Sequence, residues 1–177
     1  ELAATVPIHY VIADGIEARL DMLAEEESRD SGKPVKVARS VDIPRAVANF
    51  RFFAAMAESF ASEAHAVDGS ALHYTLRQAL GPVACISPWN LPLYLLTWKL
   101  APALAAGNSV VAKPSEVTPL SAWLLSEILL EAGVPPGVVN IVHGRGASAG
   151  ATLVGHRQIK AVSFTGSTAT GAAIAAA

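Results

Sequence analysis

The sequence predicts a mixed α/β fold: a parallel sheet with helices on both faces, preceded by an N-terminal helical hairpin and one further strand. Three observations carry that prediction. Apolar side chains in the first sixty residues recur every three or four positions, the period of an amphipathic helix. From Pro82 onward, short continuous apolar runs alternate with helical stretches across short loops, as in parallel strands buried on both faces. Charge is also unevenly shared: residues 1–70 hold 12 Asp+Glu and 7 Lys+Arg, leaving 3 acids and 6 bases for residues 71–177. So few charges do not cover a free-standing surface, and other protein is expected to cover the second half. The plainer alternative is a small alanine-rich domain that tolerates an apolar surface.

In chain order, Ile12, Ile16, Leu20 and Leu23 form an apolar stripe opposite Asp14, Glu17, Asp21 and Glu25. DSGKP (30–34) is a turn. Asp42 is placed to cap a second helix with the stripe Val47, Phe50, Ala54 and Ala57, and the two helices pair as a hairpin. VDGS (67–70) marks a boundary, beyond which Leu72, Tyr74 and Leu76 alternate with His73, Thr75 and Arg77 as a half-buried strand. Buried strands follow at Val83–Ile86, Ser109–Ala112, Val138–Val142 and Ala161–Phe164, with helices over 97–106, 119–132 and 147–156 between them. Thr118 caps the middle helix, Pro119 opens it and Gly133 ends it. Its core face is Ala122, Leu125, Leu129 and Ala132, with Glu127 and Glu131 turned away.

Several function classes are excluded at this level. A net charge of −2 gives no case for nucleic acid. One cysteine excludes a disulfide framework and a thiolate zinc site and fits a reducing compartment. The five histidines have no ligand spacing, so no metal site is expected. Leu91–Ala106, the longest apolar candidate, is interrupted by Pro92, Lys99 and Pro102 and is too short to span a bilayer. A soluble cytoplasmic protein with no membrane partner is expected.

Ligands of such a sheet bind beyond the carboxyl ends of its strands, and each of the four ends carries a polar or glycine-rich loop. SPWN follows the first strand, KPSE the second, HGRG the third and TGSTATG the fourth. HGRGASAG gives a GxGxxxG spacing through Gly144, Gly146 and Gly150, near a dinucleotide fingerprint, although a plain glycine turn explains it equally. At FTGSTATG, the backbone of Gly166–Thr168 and the Ser167 hydroxyl can accept a pyrophosphate at a helix N-terminus. The alternative there is a serine N-cap beside a glycine turn. Lys113 and Glu116 stand at the mouth of an otherwise apolar strand. Such a carboxylate can take both ribose hydroxyls and repel a 2′-phosphate, which favours NAD over NADP; the alternative is a solvated loop. Asn90 is either a turn residue or a carboxamide fixed to donate to an oxygen gaining negative charge.

Three blocks, GPVACISPWNLPLYLLTWKLAPALAAGNSVVAKPSEVTP, EAGVPPGVVNIVHG and SFTGSTATG, resemble the aldehyde dehydrogenase superfamily in order and spacing, and the likeness covers nearly all of residues 10–177. Within that superfamily the wording is most similar to muconic-semialdehyde dehydrogenases. The resemblance implies an N-terminal helical segment (1–67), a bridging and oligomerisation strand (68–81) and a Rossmann-type coenzyme domain (82–177). It makes Asn90 the oxyanion donor. It makes Lys113 and Glu116 ribose ligands, Ser167 a pyrophosphate contact and Trp89 part of the coenzyme cleft. Ser87, Ser115, Gly146, Gly150, Phe164, Gly166 and Gly171 join them as cofactor-site candidates.

The implied activity is NAD-dependent oxidation of an aldehyde to a carboxylic acid, by a homo-oligomer when complete. In the family a cysteine thiolate attacks the aldehyde and a glutamate activates water, and both residues lie downstream of the FTGS segment. This sequence stops at Ala177, and Cys85 lies inside the first strand as a small buried hydrophobe. The chain is therefore expected to supply the coenzyme-binding part and the oxyanion donor as a fragment inactive alone. The alternatives are a catalytically silent dinucleotide-binding remnant and a structural or assembly module.

Overall fold

The computed structural model describes residues 2–177, with side chains from Thr5 onward. Helix α1 (Leu2–Ala18) and helix α2 (Leu20–Ser31) are separated by Arg19, whose guanidinium meets Glu131 at 2.5 Å. Gly32 adopts φ 75° and ends α2, a left-handed conformation that glycine takes at no steric cost. A single turn, α3 (Val35–Val37), runs through a π-helical turn (Ala38–Asp42) into α4 (Ile43–Ser59). Helices α1 and α4 pack together as the hairpin expected, with Ile12, Ile16, Val47, Phe50 and Ala54 buried.

Two short strands follow, β1 (Ala64–Val67) and β2 (Ala71–Tyr74), paired antiparallel across the VDGS turn. The predicted boundary at 67–70 is therefore a hairpin turn, and β1 went unforeseen. The half-buried strand at 72–77 is a correction as well: β2 ends at Tyr74, and every one of its residues is exposed.

The main sheet comprises β3 (Pro82–Ile86), β4 (Ser109–Lys113), β5 (Val139–Ile141) and β6 (Ala161–Phe164), all parallel, in the spatial order β5-β4-β3-β6. Helices α5 (Pro92–Ala105) and α6 (Leu120–Glu131) make the first two crossovers. A π-helical turn (Gly146–Gly150) and α7 (Ala151–Val154) make the third, and α8 (Thr168–Ala175) follows β6. Strand alternation sorts the side chains into two layers. Val83, Cys85, Val110 and Ala112 share one core with α1, α2, α4, α5 and α6. Ala84 and Ile86 pack on the other face with Leu153 of α7. Burial on both faces holds for β3 but not for β5 and β6, whose residues are half-buried or exposed. The third helical stretch, expected over 147–156, is reduced to the π turn and the single turn of α7.

The helix starts also differ from expectation. α5 begins at Pro92, not 97, with proline in its first turn. Asp42 caps nothing, because the backbone is already helical through it; its carboxylate instead pairs with Lys33. Thr118 gives α6 no cap either: its hydroxyl donates to the Trp89 carbonyl, and the Leu120 N–H donates to Asp30 Oδ2 at 2.9 Å. No described helix is long and apolar enough to cross a membrane.

Candidate functional site

Successive strands β3, β4 and β5 step one way across the sheet, and β6 returns to the other side of β3. The direction therefore reverses between β3 and β6, where a doubly wound sheet opens its ligand crevice at the carboxyl ends. The registers Ile86↔Lys113 and Ile86↔Phe164 bring three of these ends level. The ladder runs one residue further on both sides: Ser87 N–H donates to the Lys113 carbonyl at 3.2 Å, and Thr165 N–H to that of Ile86 at 3.1 Å.

At the end of β4, Lys113 is buried and donates to the Pro114 carbonyl at 2.7 Å and to Glu116 Oε2 at 3.4 Å. The other oxygen of Glu116 accepts the Gly146 N–H at 3.4 Å, so the second and third strand-end loops meet on one carboxylate. Its own backbone N–H first, with the Gly146 N–H and the Lys113 ammonium behind it, holds that carboxyl below its ordinary range, while burial pulls the other way. Gly150 faces the Lys113 stem, where an added Cβ would lie 3.6 Å from Cδ. Ser115 is buried and its hydroxyl accepts from the Val117 N–H, closing a short turn.

At the end of β6, the Phe164 ring lies across the glycine loop. An added Cβ on Gly166 would stand 2.4 Å from its tip, and one on Gly171 3.6 Å from its edge. Ser167 is the N-cap of α8, accepting the Thr170 N–H at 3.2 Å, with the Thr170 hydroxyl at 2.9 Å. The plainer reading of that serine is thus realised.

At the end of β3, Ser87 is buried with its hydroxyl unpartnered, while Trp89 and Asn90 are exposed. The Asn90 carboxamide makes no hydrogen bond among the described residues. Cys85, one turn of the pleat earlier, is fully buried, and loss of solvent pushes its thiol up to about 11 although Lys99 pulls the other way.

Sequence reasoning missed Lys99. It lies on α5, buried, and donates to the Thr165 hydroxyl at 2.5 Å between β6 and the Gly166 loop; burial lowers its pKa. Its one legible signal was a single charge within an apolar helix. A hollow of about 560 Å³ lies elsewhere, among Phe53, Met56, Phe60, Leu76 and Pro102. It is mainly apolar, and among the described residues that line it Arg77 alone is charged, so chemistry is better sought at the strand ends. No described group of three His, Cys, Asp or Glu side chains is placed to hold a metal.

These features define a doubly wound α/β protein with its polar loops gathered along one sheet edge. The aldehyde dehydrogenase family pattern matches residues 7–177, and the chain belongs to that family. It is 56% identical over 157 residues to 2-aminomuconic semialdehyde dehydrogenase of Bos taurus, covering 88% of this chain and 32% of that protein. It is 53% identical over 172 residues to 2-hydroxymuconic semialdehyde dehydrogenase of Pseudomonas sp. (strain CF600), covering 94% and 35%. The NAD+ complex of aldehyde dehydrogenase from Bacillus cereus superposes with a TM-score of 0.96 at 41% identity, over 99% of this chain and 36% of that one. The chain thus spans about a third of the length of the relatives it matches.

Proposed function

We propose that this chain supplies the NAD-binding sheet and the oxyanion donor of an aldehyde dehydrogenase that oxidises an aldehyde to a carboxylic acid. The observation that carries the reading is the cluster of Lys113, Glu116 and the Gly146 N–H beside the crevice, with the Asn90 carboxamide left without a partner. The names of its relatives make muconic-type semialdehydes the candidate substrates.

The residues present fit a dinucleotide. Ser87 keeps a buried, unsatisfied hydroxyl at the strand end, the kind of group that a ligand completes. Glu116 and Lys113 offer an acceptor and a donor to a ribose diol, and the carboxylate disfavours a 2′-phosphate, so NAD is preferred to NADP. Ser167 can accept from Thr170 and still donate its own proton to a phosphate oxygen beside the positive end of α8. Trp89, Phe164 and the glycines at 146, 150, 166 and 171 shape the approach. NAD when bound supplies the hydride acceptor. Asn90 holds the carbonyl oxygen and donates to it as negative charge develops.

Cys85 favours a second statement: these 177 residues bind without turning over, because their one thiol is buried and far from ionised at neutral pH. The open faces of the β1–β2 ribbon support assembly with a second copy, and the free thiol supports a cytoplasmic setting.

Calorimetric titration tests the reading. NAD should bind, NADP should bind more weakly, and no aldehyde should be oxidised by the chain alone; absence of NAD binding would overturn the assignment. In a polypeptide that carries the nucleophile, Asn90→Ala should lower kcat by roughly a hundred- to a thousandfold.

A further inference from the structure

Among the described residues the Asn90 carboxamide has no hydrogen-bond partner of its own, yet an oxyanion donor must be held in place before the charge appears. Its backbone is fastened on both sides by residues remote in sequence. On one side, the Trp89 carbonyl accepts the Thr118 hydroxyl at 3.3 Å. On the other, the Leu93 N–H, in the first turn of α5, donates to Glu27 Oε2 at 3.1 Å. Leu91, at the N-cap of α5, has no side chain able to accept that hydrogen bond, so a carboxylate of α2 accepts it from across the interface.

The arrangement is economical in its partners. Asp30, one turn further along α2, accepts the Leu120 N–H that opens α6. Thr118, which would ordinarily cap that helix, is thereby released for Trp89. Glu27 is itself held by the Lys33 ammonium at 3.3 Å, and Lys33 is paired with Asp42 in turn. One helix of the N-terminal segment thus supports both loops, 89–93 through Glu27 and 115–120 through Asp30.

We propose that Glu27 and Thr118 are positioning residues that clamp the backbone on either side of Asn90 and so fix the point from which its carboxamide reaches the crevice. The proposal rests on Asn90 being the oxyanion donor, but its test does not require cofactor or turnover.

The experiment is ¹⁵N relaxation of the Asn90 backbone amide in the full chain, alongside thermal melts. In the wild type its order parameter should lie near the rigid value of about 0.85. Thr118→Val, which keeps the side-chain shape and removes the hydroxyl, should drop it to about 0.6 or below. Thr118→Ser should restore it, and the melting midpoint should hardly move across the three proteins. Glu27→Leu should loosen Asn90 likewise, and Glu27→Gln, which keeps an acceptor for Leu93, should retain most of the order. If Glu27→Leu does not fold, the Thr118 pair decides alone. Equal order in Thr118→Val and wild type, or equal loosening in Thr118→Ser and Thr118→Val, would overturn the proposal. Failure of wild-type NAD binding would remove the cofactor reading while leaving these order parameters as they are.

Discussion

The four loops at the carboxyl edge of the sheet fall into two contrasting pairs. Those after β3 and β4 are fastened from α2, by Glu27 and Asp30, and to each other by Thr118. Those after β5 and β6 are fastened by the sheet's own loops and helices, the Lys99 ammonium of α5 holding Thr165 at the root of the last loop. Gly146 leans on Glu116 of the neighbouring loop, and Ser167 caps the helix that it begins. The difference matches the two tasks proposed for the edge. Aiming one amide at a reacting oxygen requires a frame with no slack, whereas admitting a long, flexible dinucleotide is served by glycine loops whose few contacts can be exchanged. It also divides the molecule energetically, because the frame is buried and charged whereas the glycine loops are largely exposed.

The comparison breaks most sharply at Lys33. Lys33→Met leaves the buried carboxylates of Glu27 and Asp42 facing each other, and removing one member of such a cluster costs about 3–5 kcal/mol. Urea unfolding at pH 8 should show that loss, and less of it at pH 6, where a carboxylate takes up a proton. Next in size is Glu116→Gln. Hydrogen bonds to a charged partner are worth about 1.5–3 kcal/mol, so NAD affinity measured by calorimetry should fall roughly ten- to a hundredfold with little change in stability. A third test uses pH. Burial first, then the hydrogen bond with Asp42, push Glu27 up to about 7, while the Leu93 N–H and Lys33 oppose the rise. Between its ordinary value of 4.5 and about 7 the folded chain keeps a proton that the unfolded chain has lost. The stability from this group is therefore complete below about 4.5 and is lost as pH rises through 7; Glu27→Gln should flatten that slope in unfolding curves. The smallest effect belongs to Asp30→Ala. Losing the acceptor at the start of α6 should cost about 1 kcal/mol, and Asp30→Asn should recover most of it.

How much of this was legible depended on the range of the cause. β3, β4 and β6 could be placed because a continuous apolar run is a local signal, and the parallel arrangement followed from short alternating connections, whereas the strand order came only with the structure. The start of α5 was obscured because LPLYLL is apolar all round and shows no helical period, although Pro92 was the mark to trust. The caps were misplaced for a different reason. Asp42 and Thr118 have the right chemistry at the right places in sequence, but a π turn carries the helix through Asp42, and Asp30 relieves Thr118. A carboxylate that serves a helix 66 or 90 residues away leaves no pattern in any window of sequence. The polar strand ends were legible as a set; the contacts that support Asn90 were not. β5 and β6 were read as buried because their composition is apolar, and composition does not say whether a neighbouring layer is present.

The single sulfhydryl at position 85 gives the molecule an internal clock. Sealed in the central strand of the sheet and reluctant to ionise, it is closed to alkylating reagents while the strand stays paired. Each modified molecule must first have released that strand, so the rate of alkylation counts openings of the sheet without any engineered label.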